Sequence, residues 1–362
     1  MRTIDNLLKA AVALGASDLH MVADMMPMVR IDGELIELAD EKPISAVEMK
    51  DLIFGMLDSH LKDTLVRDRE LDISHSIKDV SRFRVNIHWE KDQLSLVARV
   101  ISNSAPTMEQ IMLPEVVYEL VRLKQGLILM TGPTGCGKST TLAAMINLIN
   151  SERRCNIITL EDPIEFVYTP KKSIIRQRQL GTDMLSFQQA LKHIVRQDPN
   201  VILVGEMRDL ETISATITLA ETGHLVLATL HTYNAAQTVD RIIDVFPPNQ
   251  QAQVRFQLSM FLKGIISQQL LPTTQERKVS TITDRGPVSP GRVAAREILL
   301  NTPAVANQIR ENKIAQIKAV IQTSAEYGMQ TMDQDIRRLF NEGYISQDTA
   351  LTYMTDPETL KQ

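Results

Sequence analysis

The chain has little cysteine: two in 362 residues, Cys136 and Cys155, and neither belongs to a C-x-x-C pair. A disulfide framework and a four-thiolate zinc site are thereby excluded, and a reducing compartment is expected. There is no surplus of positive charge either. The 39 Lys and Arg residues stand against 44 Asp and Glu, a formal net charge of -5, which argues against a dedicated nucleic-acid binder. No apolar run approaches the ~18 residues needed to span a bilayer. The opening "MRTIDNLLKAAVALGASDLH" lacks the basic start and unbroken apolar stretch of a signal peptide. Internal repeats and low-complexity tracts are missing too. These absences point to a cytoplasmic protein with no membrane span and no nucleic-acid partner.

What is present is ordinary globular material, 44% hydrophobic and 23% charged residues, in a chain long enough for two or three domains. Residues 1–16 place Ile4, Leu7, Leu8, Ala11 and Val12 at helical spacing. "MVRIDGELIEL" (28–38) predicts a hairpin turning at Asp32-Gly33, and "SRFRVNIHWEKDQLSLVARVI" (81–101) predicts two more alternating strands. Residues 1–103 thus read as a small α+β domain. The polar stretch "SNSAPTMEQ" (102–110), with Pro106, carries a linker drawn at residues 104–110.

Beyond the linker, short apolar segments alternate with helical ones. Strands are predicted at Leu127–Met130, Asn156–Leu160, Val201–Val204 and Leu225–Leu230, as in an α/β fold with a parallel sheet covered on both faces. A helix is predicted over Ser186–Arg196, with Phe187, Ala190, Leu191, Ile194 and Val195 on one face. This core spans 111–272. From Pro247 the chain reads as mostly helical, broken by a loop at 273–292, and residues 273–362 form a mainly helical C-terminal region.

Gly132–Ser139 fits G-x-x-x-x-G-K-[ST] between a predicted strand and a predicted helix. The loop Gly132, Pro133, Thr134, Gly135, Cys136, Gly137 would turn its amides toward a β-phosphate at the positive helix end, with Thr140 in the first turn. Lys138 would meet the β/γ oxygens, and the Ser139 hydroxyl a Mg²⁺ ion. Such a loop serves kinases, GTPases and motors alike.

"IITLEDPIEF" (157–166) ends a strand in Glu161 and Asp162, carboxylates suited to Mg²⁺ or to a solvated turn. "DPNVILVGEMRD" (198–209) ends in Glu206, a candidate to orient and deprotonate attacking water, and it has Gly205 where a metal-binding Asp often stands. His224 and His231 flank a fourth strand as γ-phosphate sensors or as hydrogen-bonded core residues.

"GPTGCGKST" (132–140), "ITLEDPIE" (158–165), "RQDPNVILVGEMRDLETI" (196–213) and "AETGHLVLATLHT" (220–232) together resemble the Walker A, Asp, Walker B and His boxes of the secretion ATPases. The likeness is strongest to the PilT/PilU family of type IV pilus retraction ATPases. It runs from "ASDLHMVADMMPMVRIDGEL" (16–35) to "GMQTMDQDIRRLF" (328–340).

The resemblance implies a PAS-like N-terminal domain, a RecA-like ATPase domain and a homo-hexameric ring using ATP and Mg²⁺. It also implies recruitment to the inner membrane at the pilus base through a PilC-like platform protein, with a paralogous retraction ATPase as a further partner. Arg84 and Arg99 match family arginines that approach the nucleotide from the N-terminal domain. A guanidinium on the transferring phosphoryl can be worth ~10³–10⁵ in rate.

The chain departs from the family pattern at several positions. Cys136 stands where Ser or Thr is common, and a thiol at a helix N-terminus can have a lowered pKa that invites oxidation. Gln179 replaces a Glu, removing an inter-subunit charge contact. Ala306 and Gln308 alter the retraction-linked segment "AVANQIRENK" (304–313), and "LLNTPAVA" (299–306) leans toward PilU. The Met21, Met25, Met26 and Met28 cluster reads as adaptable core or subunit contact.

The expectation is an ATPase driving pilus retraction for twitching motility or DNA uptake. The alternatives are an accessory PilU-like subunit, a pilus-extension or type II secretion ATPase, and a nucleotide-binding regulatory ring protein. A start within ~20 residues of the PAS-like domain leaves no room for the extra N-terminal domain of extension enzymes, ~100 residues by a domain-size prior.

Overall fold

Side-chain caps set the helix starts. Thr3, Ser45 and Asp58 accept amide hydrogen bonds from Asn6, Glu48 and Leu61 at the heads of the helices Ile4–Ala13, Ala46–Met56 and Ser59–Asp68. A computed structural model describes residues 2–31, 34–39, 41–101, 105–274 and 291–361. Two compact units divide it, Met1–Ser104 with Glu165–Val167, and Ala105–Ile164 with Tyr168–Gln362.

The first unit carries an antiparallel sheet in the order β3-β2-β1-β6-β5-β4. Its strands are β1 Asp18–Met21, β2 Met28–Ile31, β3 Glu34–Glu37, β4 Glu70–Ile77, β5 Ser81–Glu90 and β6 Gln93–Ile101. The predicted hairpin pairs Met28 with Glu37 and Ile31 with Glu34, and its turn residues lie outside the described residues. Alternation along β5 buries Phe83, Val85 and Ile87, while Arg84 turns to the other face. Ile4, Leu7, Leu8 and Ala11 of the first helix join the same core, and Val12 is only partly buried. Met21 is buried, whereas Met25 is 49% exposed.

In the second unit a seven-stranded sheet runs β13-β12-β7-β11-β10-β8-β9. Its strands are β7 Gly126–Thr131, β8 Asn156–Glu161, β9 Ile174–Gln179, β10 Val201–Val204, β11 Leu225–Leu230, β12 Leu262–Pro272 and β13 Arg292–Leu300. All neighbours are parallel except β13, which pairs antiparallel with β12. The strands β7, β10 and β11 are buried along their whole length. Each fully buried Leu, Ile or Val is worth about 1.5–3 kcal/mol, so the loops at their ends hang from the most firmly held part of the unit. The α/β expectation holds, with helices Pro303–Arg310, Ile317–Thr323, Met332–Asn341 and Gln347–Tyr353 at the C-terminal end.

The mostly helical reading from Pro247 needs correction. Helix Pro248–Phe261 is followed by β12, and β13 pairs with it over nine residues, Gly264 with Leu300 through Pro272 with Arg292. The loop drawn at 273–292 is described only at its ends, because residues 275–290 lie outside the described residues. The predicted helix at 186–196 is α-helical over Phe187–Ile194, and Val195 is exposed in a 3₁₀ turn.

Candidate active site

β7 delivers the chain into the glycine-rich loop, and helix Lys138–Glu152 leaves it. The residue before this helix is Gly137, at φ 89, and no side chain caps the helix start. That left-handed φ strains any residue with a Cβ, and a Cβ there would also lie 2.8 Å from Gln268 Nε2, so glycine is favoured. The first-turn amides are thus left for an anion at the positive helix end. Lys138 Nζ donates to the carbonyls of Gly132 at 2.7 Å and Pro133 at 3.0 Å, holding its ammonium over the loop. Thr134 and Gly135 form the exposed crest, while Ser139 and Thr140 sit half-buried in the first turn. An uncapped helix start, a glycine cap and an overhanging ammonium fit a polyphosphate.

Cys136 does not behave as the sequence suggested. It is buried at 3% exposure, and that burial pushes its thiol pKa up despite the nearby Lys138 charge. The helix end is outweighed by loss of water, so the thiolate is disfavoured.

Because β7, β11, β10 and β8 are parallel and in register, their C-terminal ends share one edge. Ligands of open α/β sheets bind at that edge. Glu161 ends β8 and is buried. Its Oε1 accepts hydrogen bonds from Thr159 Oγ1 at 2.5 Å and Gln177 Nε2 at 3.1 Å. Asp162 beside it is exposed.

Gly205 directly follows β10, and a Cβ there would lie 2.9 Å from the Leu160 carbonyl oxygen, leaving no room for an aspartate. Glu206 follows. Arg208 Nη2 donates to its Oε2 at 2.7 Å, and His231 Nε2, just past β11, lies 3.1 Å from its Oε1. The Arg208 hydrogen bond holds the Glu206 carboxyl below its usual range against the opposing effect of burial, and the charges of Arg208, His231 and Lys138 add to it. Glu206 is therefore an ionised acceptor in a cationic setting. Among the described residues no cluster of three His, Cys, Asp or Glu side chains could hold a metal by itself. A Mg²⁺ ion that keeps most of its waters and binds phosphate oxygens needs only one or two protein ligands.

The family described as "Type II/IV secretion system protein" matches residues 1–352. The chain belongs to that family. It is 42% identical over 355 residues to the type IV pilus retraction ATPase PilT of Pseudomonas aeruginosa, covering 98% of this chain and 99% of that one. It is 37% identical over 357 residues to the type IV pilus ATPase PilU of the same organism, covering 99% and 90%. A crystal structure of the pilus retraction motor PilT with bound ADP superposes with a TM-score of 0.89 at 41% identity, covering 100% of this chain and 99% of that one. The PilT/PilU resemblance drawn from the four boxes stands, and with it the enzyme class of a P-loop ATPase.

The fold of this secretion ATPase does not gather every expected residue. His224 precedes β11, at the opposite edge of the sheet from the phosphate loop. Its Nδ1 lies 2.9 Å from the Leu219 carbonyl oxygen, and its own carbonyl accepts from the Gly126 amide at the start of β7. Within this chain it is a half-buried, hydrogen-bonded residue away from the phosphate loop.

Arg84 and Arg99 belong to the first unit, directly opposite each other on β5 and β6. Arg99 Nε donates to the buried Asp18 Oδ1 at 2.8 Å. Burial alone would raise the Asp18 pKa, but hydrogen bonds from Arg99 and Ser17 bring it below the ordinary value. Gln179 is buried, its amide oxygen accepting a hydrogen bond from the Ile164 amide.

Sequence reasoning passed over three side chains of this site. Arg208 lies two residues beyond Glu206, a spacing that could have flagged it. Gln268 on β12 donates from Nε2 to the Cys136 carbonyl at 2.6 Å. Arg296 on β13 donates from Nε to Gln268 Oε1 at 2.9 Å. A lone Arg-Glu pair inside the apolar run "RVAAREILL" was the only hint of its burial.

Proposed function

We propose that this chain is the ATPase motor that draws a type IV pilus fibre back toward the cell, working as a homo-hexameric ring. One observation carries the reading. An uncapped phosphate-binding helix start shares a sheet edge with Glu206 and His231, in a chain 42% identical along almost its whole length to a retraction ATPase. Ring assembly, a cytoplasmic location and recruitment to the inner membrane through a PilC-like platform belong to the same reading, and likeness to retraction ATPases supports it. Among the described residues no helix is long and apolar enough to cross a membrane, so a protein partner is the expected anchor.

In this reading Lys138 and the loop amides bind the β- and γ-phosphates and fix the terminal phosphoryl group. Ser139, with Glu161 and Asp162, would hold Mg²⁺, which neutralises phosphate charge when bound. Glu206 orients the attacking water and takes its proton. The Arg208 contact lowers its basicity, so full activity requires that contact to loosen once nucleotide is bound. His231, 3.1 Å from Glu206, reports on the same region, and Arg84 and Arg99 act on charge that builds during transfer.

The test is a deletion strain complemented with the wild-type gene, alongside phosphate release by purified protein. Abundant surface pili with lost twitching or lost DNA uptake support retraction. A bald cell restored to piliation by the gene would overturn it in favour of an extension motor. The 37% identity to PilU along nearly the whole chain supports a second reading, an accessory retraction subunit. That version predicts a partial phenotype, with retraction retained in part by a paralogue.

A further inference from the structure

Arg296 is buried in the middle of β13, and its guanidinium is met by oxygens of neutral groups. Nη2 donates to the Ile111 carbonyl at 2.8 Å, Nη1 to the Met112 carbonyl at 3.0 Å, and Nε to Gln268 Oε1 at 2.9 Å. Its main-chain amide donates to Asp335 Oδ2 at 2.8 Å, anchoring the strand to helix Met332–Asn341. Burial brings the guanidinium pKa down to about 10, which still leaves it charged at neutral pH. Such a cation needs each of its oxygen partners in place.

Gln268 carries the contact onward. Its Oε1 also accepts from Thr141 Oγ1 at 2.9 Å, and its Nε2 donates to the Cys136 carbonyl inside the phosphate loop at 2.6 Å. Two donors at one end and a carbonyl at the other allow a single amide orientation. Residues 105–114 directly follow the first unit in the chain, and Ile111 and Met112 belong to that connector. A cavity of about 130 Å³ lies beside Gly137, walled by the connector on one side and by Thr140 and Thr141 on the other.

We propose that Gln268 and Arg296 are positioning residues that couple the phosphate loop to the connector at Gln110–Met112, so that nucleotide in the loop orders the connector and movement of the connector alters nucleotide release. The proposal rests on the phosphate-site reading above. The physical link is directional: if the Cys136 carbonyl shifts, Gln268 must turn or leave a buried donor unmet. Turning withdraws the acceptor from Arg296, whose remaining oxygens are the two connector carbonyls. Coupling of this kind is reciprocal.

The test uses the full-length protein with ADP as ligand. Gln268→Met keeps the side-chain length and removes both amide contacts, leaving Arg296 its connector carbonyls. In the wild type, ADP should slow amide hydrogen exchange across residues 107–114. In Gln268→Met that response should be lost, the dissociation constant of a fluorescent ADP analogue should rise about tenfold, and kcat and KM should change by different factors. Arg296→Lys keeps the charge without the forked geometry and should show a partial loss of the exchange response. Arg296→Met is the more severe variant, and if it fails to fold, Gln268→Met still decides. A folded Gln268→Met protein whose connector responds to ADP as the wild type does would overturn the coupling and leave the phosphate site standing. A wild-type protein that binds no ADP would overturn both.

Discussion

Replacing Glu206 by Gln removes a proton acceptor while keeping the side chain's shape and one oxygen for Arg208. A positioned general base is worth ~10²–10⁴ in rate, or about 3–5 kcal/mol on the barrier. The expected turnover loss is of that size. The fold should hardly notice. Arg208 and His231, the two partners of Glu206, are 68% and 45% exposed, and exposed ion pairs contribute about 0–1 kcal/mol. ATP affinity should persist, because Lys138 and the loop amides remain.

The pH dependence gives an independent check. Arg208 holds the Glu206 carboxyl below its ordinary value, so Glu206 stays ionised in neutral solution. In kcat/KM, which reports the free enzyme, loss of rate from its protonation should begin at lower pH than for an ordinary glutamate. The assay is steady-state phosphate release over a range of ATP concentrations, giving kcat and kcat/KM separately, paired with fluorescent-nucleotide binding. Hydrolysis within a few-fold of wild type would refute the base assignment. A loss of ATP affinity as large as the loss of turnover would refute it equally.

Arg84→Ala and Arg99→Ala should both lower kcat more than ATP affinity, but only Arg99→Ala should also destabilise the first unit, by about 1–3 kcal/mol in chemical denaturation, because it strips a charged hydrogen bond from the buried Asp18. Equal stability of the two variants would refute that distinction. Glu297 is buried, and burial raises its pKa against the opposing amide of Ala235. A raised carboxyl contributes stability below its ordinary value that is lost as pH rises through its folded value. The melting temperature of Glu297→Gln should therefore gain on wild type as pH rises above the ordinary carboxylate value of 4.5, and parallel curves would count against it. Cys136, buried with its thiol pKa pushed up, should resist iodoacetamide at pH 7.5, and mass-detected alkylation of that residue in native protein with loss of ATPase activity would contradict the structure.

Much of the active site could be read along the chain because its chemistry is local. The phosphate loop needs glycines, a lysine and a helix start within eight residues, and the four central strands of its sheet are short apolar runs at or within one residue of the predicted ends. The hairpin at Met28–Glu37 was equally plain, its alternating runs bracketing Asp32-Gly33. Where the reading failed, distant partners had outvoted local preference. β13 is built largely of Ala, Arg, Glu and Leu, good helix formers, yet nine paired residues on β12 hold it extended. β9, with polar residues at four of its six positions, becomes a strand only because β8 supplies its ladder.

His224 and His231 look equivalent around one strand, but strand direction sends one to the phosphate edge and the other away from it. Cys136 has the helix terminus that lowers a thiol pKa, and only packing around the loop decides that burial wins. The Cys136–Gln268–Arg296 chain spans more than 130 positions of sequence between its first two members. Motif, propensity and periodicity are properties of neighbours in sequence. Desolvation and the pairing of buried polar groups belong to neighbours in space, and these the tertiary fold alone decides.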